Sequence, residues 1–275
     1  MAESRLPGNL QAPHPGRPEA VTHPDADHMS ARKPGTATLV ASIRPAAATS
    51  YTQKGLDVSS YQGNVNWSSV AANGATFAYM KATEGTYYTD SAYFAQQYNG
   101  SYNAGLVRGA YHFAIPSNST GAAQADYFVA HGGGWSGDGR TRPGTLDIEY
   151  NPYGAECYGL TQPQMVSWIQ SFDSEYEVLT GRYPTVYTTT GWWSACTGSS
   201  RSFGLEGLAI ANFSSSPGTL PASWGVWNIW QYADSGVFPG DQDVFNGSQQ
   251  QLVDFAQGPS TIAASVPLTC ATGDQ

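Results

Sequence analysis

From Gly55 onward the chain alternates short β-branched or aromatic runs with amphipathic helical patterns, and this alternation constrains the fold more than any other feature. The strand candidates are GLDVSSY, TFAYMKATEG, LVRGAYHFAI, GTLDIEY, PTVYTTTG, GLAIANF and VWNIWQYA. Asp90 can cap a helix that carries Tyr93, Phe94, Gln97 and Tyr98 on one face and stops at Gly105. A second helix starts near Thr161, tolerates Pro163 in its first turn, and places Met165, Trp168, Ile169, Phe172 and Tyr176 on one face before Gly181. A third runs through QQQLVDFAQ. Strand and helix repeated in this way predict a parallel sheet with crossover helices. No strand is followed by a G-x-G-x-x-G turn, so the dinucleotide-binding version of such a sheet lacks its fingerprint, and HGGGW at 131–135 reads as a loop. The expected fold class is therefore α/β: a single modified (β/α) barrel with its active site at the C-terminal ends of the strands. Several crossovers are too short for full helices, so some barrel helices are expected to be short or missing.

The alternation also divides the chain. Residues 1–52 are rich in Pro, Ala, His and Arg without any sustained period and read as a disordered leader or pro-segment. Residues 53–260 read as the barrel domain, and 261–275 as a tail. GTATLVASI is a poor imitation of a secretory signal. No apolar run is long enough to span a bilayer, so no membrane insertion is expected. A net charge of -9 argues against nucleic acid, whose phosphates are bound through Lys and Arg. Only 12% of residues are charged, while Gly, Tyr and Trp are plentiful. Such a surface suits a secreted, extracellular protein that grips sugars by shape and stacking, and equally a secreted domain that economises on charge. Of the three cysteines, Cys157 and Cys196 lie in polar, glycine-containing surroundings where a loop-to-loop disulfide would be at home, leaving Cys270 as the odd thiol.

Each strand candidate carries its unusual polar residue near its C-terminal end: Asp57, Glu84, His112, Asp147 with Glu149, Tyr187, Asn212 and Gln231. In a parallel barrel those ends converge on one face. Residues i and i+2 of a strand share a face with Cα atoms roughly 7 Å apart, so Asp147 and Glu149 are expected side by side in the barrel mouth. Repulsion and desolvation should raise the pKa of one, leaving a proton donor beside a carboxylate, which is the equipment for cleaving a glycosidic bond. An exposed edge strand with alternating charge is the plainer reading of D-x-E. The neighbouring strands are apolar on both faces, as covered parallel sheets are, and argue against it.

A second acidic cluster, GDQDVFNG with Asp241 and Asp243, suggests a calcium loop, but it lacks the Gly and Glu that a helix-loop-helix calcium site places at fixed positions. No metal and no cofactor are expected. Tyr61, Tyr111, Tyr150, Tyr187, Trp230 and Tyr232 lie at or beside the same strand ends, where they can stack on sugar faces or simply pack the core. His112 reads as a hydrogen-bonded pocket-wall residue rather than a general base, and Lys81 with Glu84 as an ion pair at a strand end.

Taken together, GLDVSSYQGNVNW, FAYMKATEGTYYTD, AGLVRGAYHFAIP, AQADYF, GGGWSGDGRTRPGTLDIEYNP, CYGLT, YTTTGWWSACTG, WQYADSG and DVFNGS resemble glycoside hydrolase family 25, the Chalaropsis-type lysozymes (N-acetylmuramidases), notably its Streptomyces members. The segments run in family order from about Gly55 to Gly258. The resemblance implies hydrolysis of the β-1,4 bond between N-acetylmuramic acid and N-acetylglucosamine in bacterial cell-wall peptidoglycan, by a monomeric enzyme. It maps the general acid and base to Glu149, and to Asp147 the stabilisation of the oxocarbenium-like centre or the orientation of the substrate acetamido group. It makes Asp57 and Asp241 supporting carboxylates, and it pairs Cys157 with Cys196. Tyr61, Glu84, Tyr111, His112, Tyr150, Tyr187, Asn212, Trp230 and Gln231 form the expected substrate-binding set. Three positions depart from the pattern: Ala209 and Tyr61 stand where Trp is common, and Asp243 where Asn is common. A chitinase-like hexosaminidase is the nearest rival, although the longer D-x-x-D-x-D-x-E pattern is absent before Leu146. A catalytically silent wall-binding module is the rival from outside enzymology.

Overall fold

A computed structural model describes residues 51–258. The leader up to residue 50, the tail from residue 261 and Cys270 lie outside the described residues. Tyr51, assigned by sequence to the leader, packs its ring edge-on against Trp227 at 5.2 Å and so belongs with the barrel.

Among the described residues nine strands are present: β1 (Lys54–Val58), β2 (Ala75–Glu84), β3 (Tyr88–Thr89), β4 (Val107–Phe113), β5 (Thr145–Asp147), β6 (Thr185–Thr188), β7 (Gly207–Ala211), β8 (Ile229–Ala233) and β9 (Asp241–Phe245). Pairing runs β1-β9-β8-β7-β6-β5-β4-β2, and β2 pairs with β1 again, which closes eight strands into a barrel with β3 as a short flap on β2. The helices are α1 (Trp67–Ala72), α2 (Phe94–Asn103), α3 (Gly121–Phe128), α4 (Gln162–Thr180), α5 (Thr190–Thr197) and α6 (Gln249–Gln257). The modified barrel is thus as expected, with a six-residue α1 and no helix between β7 and β8.

Besides the β3 flap, which pairs antiparallel with β2, one strand of the closed barrel departs from the expectation of a parallel sheet. The acidic segment considered as a calcium loop is β9, which pairs antiparallel with both β1 and β8. Closing the barrel this way supplies partners for the edges of β1 and β8, which would otherwise expose a row of backbone groups.

Two of the three helix signals lie where expected. Asp90 does not cap α2, which begins at Phe94 after an N-cap Tyr93 without a side-chain bond; Asp90 instead accepts from the Tyr93 amide at 3.3 Å in the preceding turn. Thr161 and Gln164 form a capping box at the start of α4, Pro163 sits in its first turn, and Gly181 ends it in the left-handed conformation. Ser248 and Gln251 do the same for the start of α6. HGGGW does not form a simple loop: α3 runs on through a wide turn over Val129–Gly133 that kinks at His131 and Gly132.

Strand alternation sorts the core. Leu56, Val58, Ala78 and Met80 face α1, while Ala110, Leu146, Ile148, Val186, Leu208 and Ile210 pack outward with Met165, Trp168, Ile169 and Phe172 of α4. Inside the barrel, Phe77, Tyr79, Tyr111, Tyr187, Ile229 and Phe245 form a second cluster that Leu252 and Ala256 of α6 join. Two inward glycines make room for these rings: a Cβ on Gly55 would stand 2.3 Å from the Phe77 ring, and one on Gly109 would stand 2.8 Å from that of Tyr79. Arg142 is fully buried in the same interior, its guanidinium 3.5 Å from the centre of the Tyr79 ring and within electrostatic reach of Asp243.

A carboxyl pair lies away from this interior. Asp173 of α4 is buried beside Glu206, and burial first, then that neighbour, holds its pKa well above the usual carboxylate range. The folded state therefore keeps a proton that the unfolded chain releases, so the stability tied to Asp173 is full below its unfolded pKa and declines as pH rises. Asp173→Asn, which keeps the shape of the protonated carboxyl, is expected to melt higher than the wild type at pH 7, by roughly 2–4 °C per kcal/mol regained. Thermal unfolding followed from pH 7 down to pH 4 should show that gap closing.

Candidate active site

Asp57 closes the inward face of β1, and Asp241 opens that of β9 directly opposite it in register. Gln231, from β8, reaches between them: its amide nitrogen donates to Asp57 Oδ2 and to Asp241 Oδ2, each at 2.9 Å. The amide oxygen accepts from the Tyr187 hydroxyl at 2.8 Å. The partners fix the orientation of the amide, since only its NH2 group can serve two carboxylates and only its oxygen can accept from a phenol held protonated. Burial pushes the Tyr187 phenol well above its ordinary pKa, helped by Glu149, Asp147, Asp241 and Asp57 in that order. The four carboxylates given catalytic and supporting roles from the sequence thus surround one buried tyrosine, and all four are themselves buried.

The D-x-E segment is brought to this point by parity. Leu146 and Ile148 face the outer helices, which turns Asp147 and Glu149 inward. The regular strand ends at Asp147, three residues short of the GTLDIEY run read from the sequence. Pairing nevertheless continues, because the Ile148 amide donates to the Tyr187 carbonyl at 3.0 Å, so Glu149 sits just past the strand end.

Glu84 is bound into the rim. Its Oε2 accepts from Lys81 Nζ at 2.7 Å, and its Oε1 accepts from the hydroxyls of Tyr153 at 2.7 Å and Tyr87 at 3.2 Å. Tyr61 stands 72% exposed on the turn Ser60–Gln62 at the edge. Half-buried Tyr150 and Asn212 line a cavity of about 360 Å³ together with Thr189, Thr190, Phe213 and Pro217. No charged side chain lines it.

Several expected site residues are elsewhere. His112 is fully buried on the outer side of the barrel, its Nδ1 paired with Thr83 Oγ1 at 2.8 Å and its Nε2 with Gln124 Oε1 at 2.9 Å. Its ring stacks 5.5 Å from that of Phe172, and burial pushes its pKa down to about 4. Trp230 also faces outward, with Tyr51 and Trp227, and its indole N–H donates to the Asn212 carbonyl. Neither ring reaches the mouth, because each neighbours an inward residue, Tyr111 or Gln231, and adjacent strand residues face opposite ways. Tyr111 is inside but fully buried in the interior cluster. Ala209 is buried in that cluster as well. Asp243 is buried beside Arg142 and Tyr79, so its extra charge answers an interior cation.

Two tyrosines of the segment 151–160 had no sequence signal. Tyr153 grips Glu84, and Tyr158 is buried within the influence of Glu149 and Asp147. The segment is joined to α5 by the Cys157–Cys196 disulfide, with Cα atoms 5.3 Å apart. Among the described residues, no group of three or more His, Cys, Asp or Glu side chains is arranged to hold a metal, and no helix is long and apolar enough to cross a membrane.

Residues 56–241 match the model of glycosyl hydrolases family 25. The chain belongs to this family. It is 48% identical over 212 residues to an N,O-diacetylmuramidase of Chalaropsis sp, covering 75% of this chain and 100% of that one. It is 49% identical over 209 residues to lysozyme M1 of Streptomyces globisporus, covering 74% of this chain and 71% of the relative. Among solved structures, a family GH25 lysozyme from Aspergillus fumigatus superposes with a TM-score of 0.73 at 50% identity, covering 75% of this chain and 99% of that one. The protein is accordingly a glycoside hydrolase, and its buried carboxylates lie at the mouth of the family 25 barrel.

The Gln231 bridge makes a prediction. Gln231→Glu removes the amide that donates to Asp57 Oδ2 and Asp241 Oδ2 and adds a third carboxylate between them. A loss of about 3 kcal/mol or more is expected at pH 7. The loss should shrink as the new group protonates, so melting measured at pH 7 and near pH 4.5 should show partial recovery at the lower value.

Proposed function

We propose that this chain is a peptidoglycan hydrolase, a lysozyme of the muramidase type that cleaves the β-1,4 bond between N-acetylmuramic acid and N-acetylglucosamine. The observation that carries the reading is the convergence of Asp147, Glu149, Asp57 and Asp241 around Tyr187 in the mouth of a family 25 barrel. In this reading Glu149 protonates the leaving oxygen and later takes a proton from water. Asp147 stabilises the positive charge that develops at the anomeric carbon, by its own charge or by orienting the acetamido group of the substrate. Asp57 and Asp241, fixed by Gln231, add to the negative field that favours that charge. The uncharged cavity lined by Tyr150, Thr189, Thr190 and Asn212 suits a neutral sugar with its hydroxyls and acetamido group. Extracellular action fits the disulfide, which persists in oxidising compartments.

The purified protein should clear a suspension of bacterial walls and release products with muramic acid at the new reducing end. Cleavage in isotopically labelled water, read by mass, locates the broken bond. Reducing N-acetylglucosamine ends, preferential cleavage of chitin oligomers, or binding without release would each overturn the reading. Glu149→Gln keeps the shape without a transferable proton and should lose about 10²- to 10⁴-fold in turnover while retaining binding. A near-wild-type rate in that variant would show that Glu149 is not the proton donor.

A further inference from the structure

Residues 151–160 form a strap across one side of the mouth, between β5 and α4, and the strap is tied down along its length. The Asn151 side chain donates to the Ala155 carbonyl at 3.1 Å, Tyr153 donates to Glu84, and the Glu156 carbonyl accepts from the Trp192 indole at 3.3 Å. Cys157 is bonded to Cys196 of α5. The next residue, Tyr158, is built in an unfavourable way. Its φ is +57°, in the left-handed region that bulky side chains avoid; among the described residues only Ser199 shares this among non-glycines. Its ring is 5% exposed, packed with the outer core, and its buried hydroxyl has no hydrogen-bond partner among the described residues.

Both features cost stability. A glycine would relieve the backbone, as Gly159 beside it does at φ +75°. A phenylalanine would fill the same volume without an unsatisfied hydroxyl. Strain of this kind, held by a disulfide and a network of ties, is found where a side chain is kept in place for a task. The charged groups that act on the phenol are, in order, Glu149, Asp147 and Glu84, followed by the hydroxyl of Tyr153, and burial with these anions keeps it protonated. It can therefore only donate to a carboxylate. The hydroxyl oxygen is closed to solvent.

We propose that Tyr158 is a positioning residue of the hydrolytic site, whose hydroxyl donates a hydrogen bond to the Glu149 carboxylate as that group gives its proton to the leaving oxygen. The inference rests on the assignment of Glu149 as the acid. Catalytic hydrogen bonds commonly tighten only once substrate is bound, which accounts for the open donor in the substrate-free site. The titratable groups that share the surroundings of Glu149 are Asp147 beside it, Asp57 and Asp241 across Tyr187, Glu84 with its Lys81 partner on the rim, and the phenols of Tyr187 and Tyr158.

Tyr158→Phe tests this because a structural role and a positioning role move different observables. If the hydroxyl positions Glu149, turnover on soluble wall fragments falls about tenfold with KM unchanged. The alkaline limb of the rate profile then moves up by about one pH unit, because losing a donor to the carboxylate makes Glu149 hold its proton longer. The melting temperature is unchanged or higher, since an unsatisfied polar atom has gone. Unchanged turnover and an unchanged alkaline limb, with or without a higher melting temperature, would overturn the proposal. Glu149→Gln in the same assay separates the two failures. If it is inactive while Tyr158→Phe behaves as wild type, only the role of Tyr158 falls. If it keeps full rate, the acid assignment falls first and this proposal with it.

Discussion

Carboxylates that share a buried mouth repel one another, and the fold depends on how that repulsion is answered. Gln231 answers it for two of them. One uncharged amide donates to Asp57 on β1 and to Asp241 on β9, and its oxygen is occupied by Tyr187 from β6. The bridge links β8, which carries Gln231, to β1, β9 and β6, so the interaction that makes the mouth tolerable also ties together the strands that close it. A lysine in the same place would neutralise the field. An amide satisfies one oxygen of each carboxylate and leaves the negative charge available to a developing cation.

The same logic operates twice more. Glu84 is satisfied by an ammonium and two phenols. Deeper in the barrel, Arg142 lies against the Tyr79 ring with Asp243 near it, so an interior that would normally be aliphatic carries a cation and an anion. The barrel interior is therefore graded from the apolar cluster that meets Leu252 and Ala256 of α6 to a mouth rich in acids. Family 25 membership and this grading together put the candidate hydrolytic groups where water is scarce and charges interact strongly.

The helices were legible because their caps are local: Thr161 with Gln164 and Gly181 mark α4 within a few residues of sequence. The inward direction of Asp147 and Glu149 was legible from alternation alone. The same alternation, applied strictly, would have excluded His112 and Trp230, since Tyr111 and Gln231 beside them already occupy the inward positions. β9 was not legible. DQDVF breaks the expectation that strands are apolar, and its acids are tolerable only because Gln231 and Arg142 come from distant parts of the chain. Tyr158 had no local signal either, since its strain and its unsatisfied hydroxyl exist only in the folded strap.

By itself, the sequence determined the alternation of strands and helices, the caps that bound the long helices, and the placing of two carboxylates on one face of a strand, because these follow from periodicities of two and 3.6 residues. Tertiary structure alone decided that the barrel closes through an antiparallel strand, that Gln231 holds Asp57 and Asp241 apart, and that Tyr158 lies buried beside Glu149 and Asp147. Each of those depends on groups far apart in the chain meeting in a buried space, where a polar atom is stable only if a partner arrives from elsewhere or its cost is carried by the rest of the fold.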